Sequence, residues 1–235
     1  MNKCVLKADS INGKKSSYQG DIEEPRREII ERKYKWKRTT VTWKIIHASE
    51  WFEDTPDAKF DFEWKAARTA FRVWQNRVKD IVFKYERDPN KRADIEITFT
   101  KDDPLWADGK KGTLAYAYFP VADNDQFTLA GDMFFNDWIE WTKDGAPYDK
   151  VNPDGSISKV KTYLLVHTLV HEIGHAIGLK HSNGCRECVM YPYYNEVVIL
   201  ARLDIDRAQS FYGISTKSQR FINYFRDRLL RGIIR

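Results

Sequence analysis

The sequence predicts an α+β domain in which a mixed sheet packs on helices. Three observations predict it. Short β-branched runs recur through the first 135 residues, each too short for a helix and bounded by polar residues. A helical apolar period interrupts them over 62–78. A second, more apolar helix follows all the strands and carries histidines at regular spacing.

The elements can be justified in order. Residues 1–32 form an N-terminal extension, polar and charged, with Gly13, Ser16, Ser17, Gly20 and Pro25. It reads as mostly irregular, with a helical turn over 23–32. Thr39–Ile46 alternates and is β-branched, hence a strand. Phe62, Ala66, Ala70, Phe71, Val73, Trp74 and Val78 mark one helical face. Ile81–Tyr85, Ala93–Thr100, Leu114–Phe119 and Met133–Phe135 read as further strands. Tyr163–Leu179 is the histidine-bearing helix. Leu203–Tyr212 is a shorter one, with Asp204 near its start, where the helix dipole favours an anion.

Composition narrows the class. With 235 residues, 42% hydrophobic and 14% aromatic, the chain suits one domain with a sizeable core. No apolar run of about 18 residues exists, so no membrane-spanning helix is expected. The N-terminus lacks an apolar h-region, so no signal peptide is visible. Three cysteines do not read as a disulfide framework. The net charge of +5 gathers near 26–38 and at the C-terminal end. No nucleic-acid fold signature accompanies it, so solvated surface is expected there and nucleic acid is not an expected partner.

Chemistry concentrates in His171-Glu172-Ile173-Gly174-His175-Ala176-Ile177-Gly178-Leu179-Lys180-His181. This is H-E-x-x-H-x-x-G-x-x-H without a mismatch. Residues four apart share a helical face, so His171 and His175 can both point at one ion. Gly178 lets the chain leave the helix with φ > 0, so that His181 returns to the ion from a turn. Three neutral imidazoles leave a fourth zinc position for water, the arrangement of a catalytic site. Glu172 projects beside the metal, where it can take a proton from that water. A buried helix with satisfied histidines is the bland alternative, and the joint spacing of three His, Glu and Gly disfavours it.

Val189-Met190-Tyr191-Pro192 follows, and Met190 is the only methionine after Met133. In this class a Met-turn forms an apolar floor under the three-histidine site. HEIGHAIGLKHSN followed by VMYPYY resembles the matrixin (matrix metalloproteinase) catalytic domain of the metzincin clan. The resemblance extends over about residues 33–213 and includes Ala93–Ile97, Leu114–Ala117, Gly131-Asp132, Asp204-Ile205, Gln209 and Tyr212-Gly213. It implies a twisted, mostly parallel five-stranded sheet with three helices, and a zinc endopeptidase acting on extended polypeptides. It implies that substrate lies antiparallel to the strand of Leu114, Ala115 and Tyr116, where backbone pairing gives affinity with little sequence demand. Pro192 and Tyr194 would wall the S1′ pocket, and His167, one turn before His171, would line it. A secreted or extracellular protease is implied as well, which conflicts with the missing signal; the chain begins after a removed signal, or export differs.

The sequence also departs from the family pattern. Matrixins usually hold a second, structural zinc with three His and one Asp. Two of those imidazole positions are Tyr116 and Phe134 here, and neither side chain can replace an imidazole. One zinc is therefore expected, with the structural ion absent. Asp108 with Gly109 and Gly112 resembles a calcium loop whose distant partners have become Asn136 and Ile139. A partial calcium site and a solvated acidic loop both remain open. Cys4 resembles the family's latching cysteine, but the surrounding Gly, Pro and Arg are missing, and an ordinary N-terminal cysteine is the other reading. Cys185 and Cys188 either form a local disulfide or stay as thiols. In the tail, 214–235, Phe221, Ile222, Phe225, Leu229 and Ile233 recur at helical spacing among arginines. Such a helix docks on the domain or on another subunit, or lies on an anionic membrane. Two rival functions stand beside the endopeptidase: a zinc-binding module without catalysis, which the intact Glu172 disfavours, and an enzyme for a non-protein amide.

Overall fold

The computed structural model describes residues 3–7, 34–52, 61–106, 109, 112–120 and 129–215. The expected turn at 23–32, Asp108 and the basic tail from residue 216 onward lie outside the described residues.

In chain order the elements are β1 (Lys3–Lys7), β2 (Thr40–His47), α1 (Asp61–Gln75), β3 (Val82–Tyr85), β4 (Ile95–Thr100), β5 (Thr113–Tyr118), β6 (Met133–Asn136), β7 (Trp141–Thr142), β8 (Tyr148–Val151), β9 (Ile157–Val160), β10 (Tyr163–Leu164), α2 (Leu165–Ala176) and α3 (Arg202–Tyr212). One sheet has the order β1-β5-β6-β4-β2-β3. β2 pairs in parallel with β3 and β4, and β4 in parallel with β6. β5 is antiparallel to β6. These five strands and the three helices are the α+β arrangement expected from the sequence.

The sixth strand is a difference. Lys3–Lys7 was expected to be irregular, yet it forms β1 and pairs antiparallel with β5 along its whole length. Five residues carry too little periodic signal to be read alone. Their order comes from the unpaired N–H and C=O groups that an edge strand offers. The expected long helix over 163–179 also divides. Tyr163–Leu164 pairs in parallel with β7, and helix runs only over Leu165–Ala176. β8 and β9 form a separate antiparallel hairpin that the sequence pattern did not announce, since Val151 and Ile157 are exposed and bury no face.

Local pattern explains how the core sits. On β4, Ile95, Ile97 and Phe99 are buried while the residues between them are half-buried, as period-two alternation requires. On α1, Ala66, Ala67, Ala70, Phe71 and Trp74 are buried at three- and four-residue spacing. They pack against α2, and the Trp74 indole N–H donates to the Val170 carbonyl at 2.8 Å. Every α2 residue except Val166 is buried. The far end of α2 is tied down from outside: Trp36 Nε1 donates to the Ala176 carbonyl and Tyr212 Oη to the Ile177 carbonyl, both at 2.8 Å. α2 thus packs against α1 and against β5, β1 and β6 of the sheet.

Candidate metal centre and substrate cleft

The geometry of the cluster starts from α2. His171 and His175 lie one turn apart on it, with ring centroids 4.7 Å apart. The helix ends at Ala176, and Gly178 takes φ +103°, the positive value that the motif demands. A Cβ there would also strike the Tyr34 carbonyl, so glycine is required twice over. The turn brings back His181, whose Nε2 lies 3.3 Å from that of His171; the His175 and His171 Nε2 atoms are 3.0 Å apart.

The tautomers of two rings follow from their partners. His171 Nδ1 faces the Val189 carbonyl and His175 Nδ1 faces the Leu179 carbonyl, each at 2.6 Å. A carbonyl only accepts, so each Nδ1 carries the proton and each Nε2 presents a lone pair. Converging lone pairs repel one another unless a cation lies among them. Tetrahedral zinc with Zn–N bonds of ~2.0–2.1 Å separates its nitrogens by about 3.3–3.4 Å, so these donors fit. Burial pushes His171 and His175 below the usual imidazole range and holds His181 at about 4. All three are therefore neutral at physiological pH, the form that binds metal.

Glu172 is fully buried, and neither of its carboxylate oxygens has a hydrogen-bond partner. Burial raises its pKa well above the ordinary carboxylate value. A buried carboxylate left without partners is costly in a purely structural role. Met190 lies beneath the cluster: a Cβ on Gly174 would overlap its sulfur, so Gly174 is what lets the turn approach the helix. Asp204, wholly buried, accepts from the Val189 and Met190 N–H groups at 2.9 and 3.4 Å and from Ala201 N at 3.1 Å. It thus ties the Met-turn to the start of α3. The sequence placed Asp204 at a helix start but did not indicate this link.

Cys4 enters the same cluster. Its thiol lies 3.4 Å from His181 Nδ1 and 3.6 Å from His181 Nε2. Cys4, His175 and His181 offer donor atoms within 4.8 Å of one another. The thiol stands beside the His181 ring, closer to Nδ1 than to Nε2, so it borders the histidine cluster. Burial, with the Glu172 charge nearby, pushes this thiol up to about 12. A bound cation is the charge that draws the proton from such a group.

The residues expected to meet substrate have these surroundings. Leu114 and Ala115 are buried in β5. His167 is buried on α2, edge-on to the Tyr194 ring at 4.7 Å, and donates through Nδ1 to the Val197 carbonyl at 2.7 Å. Its Nε2 has no hydrogen-bond partner. Tyr194 Oη accepts from Leu164 N at 2.8 Å, which fixes the wall segment against the start of α2. Pro192 and Tyr194 bond the backbone of Lys7. Cys185 and Cys188 are joined in a disulfide, which settles the alternative left open by the sequence.

The second metal region is built differently. Tyr116 and Phe134 stack at 5.1 Å beside Trp106 and Tyr118. Tyr116 Oη donates to Asp103 Oδ2 at 2.6 Å. Asp137 accepts from Ser49 Oγ and Glu50 N, and Glu140 accepts from Tyr148 Oη, so these carboxylates are already engaged.

Comparison with known proteins adds the relatives. A family model described as Matrixin matches residues 35–213. Interstitial collagenase of Oryctolagus cuniculus is 31% identical over 188 residues, covering 77% of this chain and 33% of that protein. Matrix metalloproteinase-16 of Homo sapiens is 32% identical, over 76% of this chain and 27% of its own length. Karilysin of Tannerella forsythia is 30% identical, over 69% and 30% respectively. The chain spans about a third of the length of these curated relatives.

Proposed function

Because this chain belongs to the matrixin family, we propose that it is a zinc-dependent endopeptidase acting on extended polypeptides. The observation that carries this reading is the convergence of three Nε2 atoms at 3.0 and 3.3 Å beside a buried, unpartnered Glu172. His171, His175 and His181 hold the ion. A zinc ion, when bound, supplies the charge that polarises the scissile carbonyl and acidifies the attacking water. Glu172 takes the proton from that water and hands it to the leaving amine. β5 binds the substrate backbone antiparallel through Leu114 and Ala115, and Pro192 and Tyr194 bind its other edge. His167 stands at the base of the S1′ pocket and limits its depth. Met190 supports the histidines from below.

The family's latching role falls to Cys4, whose thiol lies beside the His181 ring, 3.4 Å from Nδ1 and 3.6 Å from Nε2. A thiol-modifying reagent should then raise peptidase activity, and an unchanged rate would remove the latch. One zinc per chain is proposed, since Tyr116 and Phe134 stand where a second ion would need imidazoles. Calcium at Asp108 stays a proposal from the resemblance alone. The Cys185–Cys188 disulfide supports action in an oxidising compartment, outside the cytosol. Cleavage of a quenched peptide library, with and without a zinc chelator, tests the whole reading. Chelator-sensitive hydrolysis is expected. A chain that binds zinc but cuts no peptide would instead be a binding module or an enzyme for another amide.

A further inference from the structure

Four buried side-chain atoms on α2 have no hydrogen-bond partner among the described residues: both Glu172 oxygens, Thr168 Oγ1 and His167 Nε2. The general-base role uses the Glu172 oxygens. A threonine hydroxyl can turn back to a carbonyl of its own helix. An imidazole has no such outlet, so the mechanism leaves His167 Nε2 without a task.

The other ring nitrogen decides what Nε2 can do. His167 Nδ1 lies 2.7 Å from the Val197 carbonyl. A carbonyl only accepts, so Nδ1 carries the hydrogen and Nε2 presents a lone pair. The ring is neutral near pH 7, because burial holds its pKa at about 4. Nε2 is therefore an acceptor. The same bond fixes the ring in place. His167 starts on α2 and reaches the segment that follows Pro192 and Tyr194, where it meets the Tyr194 ring edge-on with centroids 4.7 Å apart. Tyr194 is tied the opposite way, since its Oη accepts from Leu164 N at 2.8 Å. Both side chains span the gap between α2 and this segment. Neither can swing aside to shelter the lone pair without breaking a bond that crosses the gap.

An acceptor left buried and unpaired is costly, and a ligand that supplies its donor recovers that cost. The endopeptidase reading puts His167 at the base of the S1′ pocket, and the inference rests on that reading. An aliphatic P1′ side chain would cover the lone pair and leave it unmet. A carboxylate would bring more lone pairs, and an ammonium would have to shed its water. A long side chain that ends in a neutral donor meets the requirement: the phenol of tyrosine or the carboxamide of glutamine. We propose that this pocket selects P1′ residues ending in a neutral hydrogen-bond donor, tyrosine or glutamine, with His167 Nε2 as the acceptor. His167 then sets the chemistry of the P1′ residue as well as its length.

The test uses the full chain, zinc-loaded and treated with the thiol-modifying reagent. Its peptides differ only at P1′: Tyr against Phe, Gln against Met, and Leu as reference. Wild-type kcat/KM should favour the donor member of at least one pair by ~10-fold, the scale of one buried hydrogen bond left unmade. His167→Phe keeps an aromatic ring and removes the acceptor. It should bring that ratio to within ~2-fold of unity while still cutting the Leu peptide, because the ratio reports the coupling between ring and donor. His167→Leu serves the same purpose if the Phe variant does not fold. A role confined to holding Val197 would change all five peptides alike and leave the ratio standing. Wild-type ratios under ~3 in both pairs, too small for a buried hydrogen bond, overturn the inference. So does a ratio that survives removal of the acceptor. In either case, chelator-sensitive cleavage of the Leu peptide leaves the endopeptidase reading intact. If no peptide is cut, both fall.

Discussion

Two clusters lie along β5 and use buried polar groups in opposite ways. At the end of α2, the histidines and Glu172 leave hydrogen-bonding capacity unspent: three Nε2 atoms converge, and both Glu172 oxygens lack a partner. Around Tyr116, the polar capacity is closed. Its hydroxyl bonds Asp103 at 2.6 Å, and the rest of the cluster is aromatic packing with Trp106, Tyr118 and Phe134. The first arrangement is costly as mere structure, and the proposed zinc and general base would use what it leaves unpaired. The second needs nothing further. Where the family resemblance implies a structural zinc, the chain carries an aromatic stack and one charge-assisted hydrogen bond.

The comparison breaks first at Glu172. Glu172→Ala should keep the fold and its zinc but lower peptidase kcat on the order of 10²–10⁴-fold, the usual worth of a positioned acid–base group. Retained activity in a zinc-loaded variant would remove Glu172 as the base. A metal count sharpens the same contrast. The purified protein should hold one zinc, and two tightly held ions per chain would place a second metal where the aromatic stack stands.

Smaller effects probe each cluster separately. Tyr116→Phe removes the hydroxyl that Asp103 uses, at an expected cost of ~1–3 kcal/mol in denaturant unfolding. It should leave the zinc content and the peptidase kcat unchanged. A loss of zinc would show that the two clusters are coupled. His167→Ala should enlarge the pocket base and shift preference toward longer P1′ residues, by ~1–3 kcal/mol per methylene-scale difference. Identical P1′ profiles for wild type and variant would place His167 outside the pocket. His167 also carries a pH signature. Burial lowers its folded pKa to about 4 from 6.5, so the unfolded chain binds the extra proton between those values. Metal-free protein should therefore lose stability as pH falls from about 6.5 toward about 4, and His167→Ala should flatten part of that slope.

The sequence by itself determined what is local. A four-residue interval on a helix puts His171 and His175 on one face, and a glycine three residues later permits the turn that returns His181. Both follow from helix geometry, and the structure has Gly178 at positive φ as that geometry requires. The alternation of β4 and the apolar face of α1 were legible for the same reason. The strands and helices came within a few residues of their observed limits, while the small hairpin at 148–160 did not appear, because it buries no face. What lies far apart in the chain was decided only by tertiary structure. Cys4 is 177 residues from His181, and nothing in K-C-V-L-K names its partner. Its faces acquire meaning only when β5 offers an open edge and Pro192 and Tyr194 close the other side. The carbonyls of Val189 and Leu179, which set the histidine tautomers, are backbone atoms without a side-chain signature. Short-range periodicity is written in residue types; which edge an extended segment joins depends on the unpaired backbone groups left once the rest of the sheet has formed.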